Sequence, residues 1–196
     1  MGDQILWFAA RGAGIVSLLL FTAVVALGVL TVTRWQSAAW PRFLTVGLHR
    51  NLALLSVVFL GTHIVTAIAD PATALGVVAA TIPFASSYRP FGVGLGVIAF
   101  DLLVAVTASS LIRDRIGRRT WRLIHWSAYA AWPLALVHGI ESGSGSATPW
   151  MLAVNALCLG AVGLAVAWRI RAGGSNRQEL AAIAAGAAGE QSARGA

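Results

Sequence analysis

Apolar residues in this chain do not recur with the period of a half-buried helix or strand. They run in long, nearly uncharged blocks, and five of these reach the roughly 20 residues that a helix needs to cross a bilayer. The first block extends from Gly12 to Thr33 without a charge, and the second from about Phe43 to Ala69, with His49, Arg50 and His63 inside it. The third, Phe91 to Ile112, contains one acid, Asp101. The fourth, about Trp121 to Ile140, holds His125 and His138, and the fifth, Trp150 to Trp168, is uninterrupted. In hydrocarbon a single segment satisfies its own backbone hydrogen bonds only as a helix. The pattern therefore predicts an all-α integral membrane bundle of about five transmembrane helices. Met1 to Ala10 lacks a basic stretch and the first block is of full length, so it reads as a span rather than a removable signal peptide.

The connections are less regular. Asp70 to Pro90 carries three prolines, and its apolar middle, Leu75 to Ala80, is too short to span and is expected at the membrane interface. Residues 1–171 read as one transmembrane domain. Residues 172–196, rich in Ala, Gly and Ser, read as a flexible tail with at most a short helix around Gln178 to Ala185.

Composition agrees with this pattern. Of 196 residues, 58% are hydrophobic and 11% charged, against about a quarter charged in soluble domains. All fourteen basic residues are Arg, and their placement orients the chain. Twelve fall between spans one and two, between spans three and four, or after span five; only Arg11 and Arg89 lie on the opposite side. By the positive-inside rule the N-terminus is outside and the C-terminus cytoplasmic. The excess of Arg is thus a topology signal divided among loops, with no basic face for nucleic acid. The lone Cys158 excludes an internal disulfide and any multi-cysteine metal site, and reads as a small buried side chain.

Ionisable residues inside a membrane are costly and usually functional. All four histidines fall in spans two and four, fourteen residues apart in one (His49, His63) and thirteen in the other (His125, His138). At 1.5 Å per residue each pair is separated by about 20 Å, most of a hydrocarbon core of about 30 Å. Spans two and four run in the same direction. His49 and His125 therefore share a level near the cytoplasmic face, and His63 and His138 one near the outer face. Paired imidazoles at two levels suit two six-coordinate b-type haems. Buried, hydrogen-bonded histidines account well for one His in one helix but poorly for two pairs at matched depths. A tetrahedral zinc site would be short of ligands at each level.

One part of this geometry is strained. Fourteen residues bring His49 and His63 within about 40° of one face, but thirteen leave His125 and His138 roughly 140° apart on a straight helix. Pro133, between them, is expected to kink the span and bring them round. Gly47, Gly61 and Gly139 beside the histidines would let a flat macrocycle approach. Arg50 and Arg122 at the inner level, and Arg11 and Arg89 at the outer, suit haem propionates. Asp101 is expected to hydrogen-bond a neighbouring helix, with proton relay or quinone contact as the alternative. Trp35, Trp40, Trp121, Trp126 and Trp150 read as interfacial anchors.

The stretches LHRNLALLSVVFLGTHIVTAIADP (48–71), SSYRPFGVGLGVIAFDLL (86–103) and GRRTWRLIHWSAYAAWPLALVHG (117–139), with the 14 and 13 histidine spacings, resemble the ferric reductase-like transmembrane domain family. That superfamily includes the membrane core of NADPH oxidases and the haem subunit serving a periplasmic methionine sulfoxide reductase. The likeness, to its small stand-alone bacterial branch, covers roughly residues 5–170. It implies His49 with His125 on an inner haem iron and His63 with His138 on an outer one. Respiratory cytochrome b typically spaces both pairs by 14, so the 13 here argues against it. Unlike the reductases and oxidases, this sequence shows no Gly-rich dinucleotide fingerprint after a strand. A separate donor is then expected, a flavoprotein or membrane quinol, with an extracytoplasmic acceptor protein or small oxidant, as the electron-transfer part of an oxidoreductase in the bacterial cytoplasmic membrane. The rival readings are a quinone-linked cytochrome b subunit and a haem-free transporter or scaffold.

Overall fold

A computed structural model describes residues 2–32, 40–71, 73, 75–143 and 145–194, with side chains described between residues 4 and 172. It is helical, with no strand among the described residues. The elements are α1 (Gly2–Val32), α2 (Arg42–Ala69), α3 (Val77–Thr81), α4 (Pro90–Leu111), α5 (Arg113–Ile116), α6 (Arg118–Trp126), α7 (Ala128–Ser142) and α8 (Pro149–Arg194). Four of them are long and apolar enough to cross a membrane: α1, α2, α4, and α8 over Pro149–Ala172. The protein is a multi-pass membrane protein and an all-α helical bundle.

The fourth predicted span departs from the expectation of a single helix. It is two helices, α6 and α7, that break at Ser127. Pro133 lies inside α7, and the span is interrupted at Ser127 and not at the proline. At the break the Ser127 amide donates to the carbonyl of Ile124 at 3.0 Å, a three-residue closure. A turn of 3.0 rather than 3.6 residues advances about 20° more per residue. That overwinding acts in the sense that closes the angular gap between His125 and His138.

Other boundaries have local causes. Pro90 opens α4 at a position where its missing N–H costs nothing, and Arg89 precedes it in the left-handed region at φ 42°. Gly117, at φ 77°, separates α5 from α6, a conformation that glycine adopts without strain. The short α3 occupies the apolar middle of the connection between α2 and α4. Beyond the membrane-crossing part, α8 continues through the stretch predicted as a flexible tail, as far as Arg194.

Within the bundle α1 packs along α2, α4 along α7, and α1 also touches α7 and α8. The core forms where these meet, from Leu18, Phe21 and Val25 of α1, Ala131, Trp132 and Leu136 of α7, and Cys158 of α8. Trp132 donates its indole N–H to Thr22 Oγ1 at 2.9 Å, and Thr22 Oγ1 donates to the Leu18 carbonyl at 2.8 Å. On α2, Leu54, Leu55, Val58 and Val65 are exposed, as are Leu152, Leu157, Leu159 and Leu164 on α8. Large apolar side chains facing outward are what a lipid solvent permits, since lipid tails are as apolar as leucine.

Candidate functional site

The four histidines come together in two pairs. The rings of His63 (α2) and His138 (α7) have centroids 6.1 Å apart at an interplanar angle of 76°. Those of His49 (α2) and His125 (α6) are 6.3 Å apart at 61°. This separation lies within the range of edge-to-face contact between rings. A metal ion bound at about 2 Å by one nitrogen of each ring puts the centroids about 6 Å apart. Among the described residues no group of three or more His, Cys, Asp or Glu is placed to hold a metal ion. A metal on either pair would have two protein ligands among the described residues, its remaining ligands coming from a cofactor or from water.

The second ring nitrogen decides whether an imidazole is oriented for ligation. A ligating His almost always donates its other N–H to a carbonyl or carboxylate, which fixes the tautomer and raises ligand basicity. His63 Nδ1 donates to the Ala10 carbonyl at 2.7 Å, His49 Nδ1 to the Val24 carbonyl at 2.9 Å, and His138 Nδ1 to the Gly92 carbonyl at 2.8 Å. Each bond leaves Nε2 as the nitrogen available to a metal. His125 differs: its Nδ1 is buried and has no hydrogen-bond partner among the described residues. Its ring stacks on Trp121 instead, centroids 4.9 Å apart at 29°.

Each of the three carbonyls is reached the same way. In an α-helix the carbonyl of residue i points toward residue i+4, and a glycine there leaves it open to a side chain from outside. Four residues after Ala10, Val24 and Gly92 stand Gly14, Gly28 and Gly96. A Cβ at Gly96 would come 2.5 Å from His138 Nδ1, and one at Gly14 would come 2.9 Å from His63 Nδ1. At Gly28 it would come 3.4 Å from His49 Cε1. By contrast, a Cβ at Gly47, Gly61 or Gly139 would meet no atom within 4 Å among the described residues, apart from its chain neighbours and its own helix backbone. The glycines that seat the imidazoles are on the neighbouring helices, where inspection of the histidine spans alone does not find them. The signal was present: Gly14 and Gly28 are fourteen residues apart on α1, as His49 and His63 are on α2.

A cavity of about 260 Å³ adjoins the His63–His138 pair. Its walls include Leu18, Phe21, Val97 and Phe100, with Arg11 and Asp70 among its polar lining residues. Such a cleft, mostly apolar with a few polar groups, suits an amphipathic ligand.

The four arginines are placed differently from one another. Arg11 lines this cavity, with its guanidinium 5.2 Å from the Trp7 ring centroid and 5.4 Å from that of Trp150. Arg89 is not among the lining residues; its Nη1 donates to the Glu141 carbonyl at 2.6 Å, tying the start of α4 to the end of α7. Arg50 is exposed on α2, and Arg122 is exposed on α6 beside Arg118 and Arg119. Asp101 is exposed on α4, with no hydrogen bond to a neighbouring helix among the described residues, contrary to the expectation. Asp70, which the sequence did not single out, is 2% exposed at the C-terminal end of α2.

No curated protein and no solved structure matches the chain. A family profile, described as the ferric reductase like transmembrane component, matches residues 13–136, a region that holds His49, His63 and His125 and ends two residues before His138. The match covers more than half of the chain, which therefore belongs to the ferric reductase-like transmembrane component family.

Proposed function

We propose that this protein is a di-haem b-type membrane cytochrome, which passes electrons from a cytoplasmic or membrane donor to an extracytoplasmic acceptor. The observation that carries the reading is the pair of facing imidazoles at each of two levels, 6.1 and 6.3 Å between centroids. Membership of a ferric reductase-like family supports it independently. Bound haem would supply one-electron redox chemistry. The chain's own part is ligation, spacing and insulation. His63 and His138 hold one centre and His49 and His125 the other. Backbone carbonyls of α1 and α4 fix three of the four rings. Between the levels, Trp132, Phe21 and Val25 fill the core and exclude water. Arg11 is the arginine best placed for a propionate at the outer level, because it lines the cavity there.

The orientation, N-terminus outside, rests on the distribution of arginine. A flavoprotein or quinol donor would then meet the inner level, and an acceptor protein or small oxidant the outer. One observation favours the quinone-linked reading of the donor: Asp101 is exposed at the middle of α4, where a bilayer-dissolved quinone has access. Asp101→Asn should slow reduction by a quinol while leaving reduction by dithionite unchanged.

The test of the main reading is the pyridine haemochrome of the purified protein with its reduced spectrum. Two b haems per chain and a b-type α-band are expected. Colourless protein after expression with ample haem supply would instead favour a transporter or scaffold.

A further inference from the structure

The helices α1 and α2 form one antiparallel pair, and α4 with α6–α7 forms a second. Moving inward along α1 by fourteen residues leads from Gly14 to Gly28, while the facing histidine changes from His63 to His49. Along α4 the same step leads from Gly96 to Ser110, and along α7 and α6 from His138 to His125. Three of these four positions are glycines beside a histidine-bonded carbonyl. The fourth is a serine.

Ser110 changes what its helix offers. Its hydroxyl donates to the Val106 carbonyl at 2.7 Å, the carbonyl four residues back that corresponds to Gly92 at the outer level. Ser109 Oγ donates to the same carbonyl at 3.0 Å. Trp121 Nε1 donates to Ser110 Oγ at 3.2 Å, and the Trp121 ring stacks on His125. The carbonyl is thus occupied by hydroxyls, and the His125 Nδ1 stays buried without a partner among the described residues.

We infer that Ser110 is a positioning residue that withholds from His125 the backbone hydrogen bond its three counterparts have, so that His125 is the more weakly donating and more readily exchanged axial ligand. The inference rests on the reading that the four histidines ligate two haems. An imidazole whose N–H is bonded to a carbonyl is the more basic ligand, and a basic ligand favours ferric over ferrous iron. Withholding that bond from one ligand raises the potential of the inner centre above the value a fourth carbonyl would set, which favours its reduction from the donor side. Trp121 substitutes for the missing bond by holding the ring face, which orients His125 without increasing its basicity.

Ser110→Gly removes the hydroxyl and the Cβ and opens the Val106 carbonyl to His125. In a potentiometric titration of the purified variant, the inner centre is expected to move to lower potential with the outer centre unmoved. Ser110→Thr, which keeps the hydroxyl, should titrate as the wild type. Two bound haems with neither potential moved in Ser110→Gly would overturn the inference. Should Ser110→Gly not fold, carbon monoxide added to the reduced wild type serves as the second measurement. Binding at one haem of the two is expected, with that component lost in His49→Ala, which removes the firmly held inner ligand, and kept in His138→Ala. Binding at neither haem, or equally at both, would also overturn it. A protein without haem overturns the proposed function itself, so the two failures are distinct.

Discussion

The outer and inner levels of this bundle share a plan and differ in how firmly it is carried out. At the outer level both imidazoles are tied to backbone carbonyls, glycines admit both rings, and a cavity adjoins the pair. At the inner level His49 is tied to Val24, but His125 rests against Trp121, with no hydrogen-bond partner for its Nδ1 among the described residues. The surroundings differ as well, since exposed Arg118, Arg119 and Arg122 flank the inner level on α6. The difference is concentrated where one helix is replaced by two, at Ser127, two residues beyond His125. A regular antiparallel helix pair repeats its support every fourteen residues. The pair that departs from regularity keeps the ligand and loses its second hydrogen bond.

The largest expected effect comes from taking one ligand away. His63→Ala should lower the haem content from two to one per chain and leave the spectrum of the inner centre. The mirror variant, His49→Ala, should retain the outer. Equal loss of both haems in each variant would mean that the levels are one cooperative unit, and the comparison between them would have no content.

Glycine substitutions come next, and they grade the two levels without touching a ligand. A methyl at Gly96 would come 2.5 Å from His138 Nδ1, and helix backbone on one side and ring on the other leave little room to yield. At Gly14 the corresponding distance is 2.9 Å, and at Gly28 the nearest ring atom is 3.4 Å away, close to ordinary contact. Gly96→Ala should therefore release most of the outer haem, Gly14→Ala a smaller share, and Gly28→Ala almost none of the inner. Haem-to-protein ratios measured side by side give the order. A reversed order would show that the rings are held by something other than the carbonyls behind these glycines.

Much of this was legible in the sequence, for a physical reason. A bilayer imposes one backbone solution and a fixed length, so blocks such as Gly12–Thr33 and Trp150–Trp168 announce their helices directly. The level of each histidine followed from helix rise and direction alone. What did not follow was azimuth. Thirteen residues on an ideal helix put His125 and His138 on different faces, and Pro133 was the conspicuous candidate for a correction, whereas the span is interrupted at Ser127. Hydrogen bonding within the helix is invisible to residue type at that resolution, whereas a proline is not. The supporting glycines were missed because they lie on α1 and α4, and their relation to the histidines exists only once helix pairing and register are known. Asp101 illustrates the opposite error. Its cost in lipid suggested a partner inside the bundle, yet its side chain is on the exposed side of α4.

A smaller effect, and one that should not distinguish the levels, is expected at Trp132. Its indole is buried between them and donates to Thr22. Trp132→Phe keeps most of the apolar volume but removes the donor, at a cost of about 1 kcal/mol. Trp132→Ala leaves a cavity and costs about 3–5 kcal/mol. Both should lower the thermal midpoint of the haem-loaded protein and weaken the two centres in parallel. A loss confined to one level would show that the core is divided between the levels and not shared.

The smallest expected effect is at Arg89, and it bears on the outer level only. Arg89 holds the unusual backbone conformation before Pro90 and donates to the Glu141 carbonyl, three residues beyond His138. The carbonyl belongs to the last turn of α7, where unpaired carbonyls carry partial negative charge, so a guanidinium there is favourable. The side chain is exposed and the contact is screened, which keeps the contribution below that of a buried charged hydrogen bond. Arg89→Gln should leave two haems bound and shift only the outer potential, slightly. Since Arg89 is outside the cavity lining, a complete loss of outer haem in this variant would mean that it contacts the cofactor directly. In that case the outer level would owe its firmness to surface charge as well as to the carbonyls of α1 and α4.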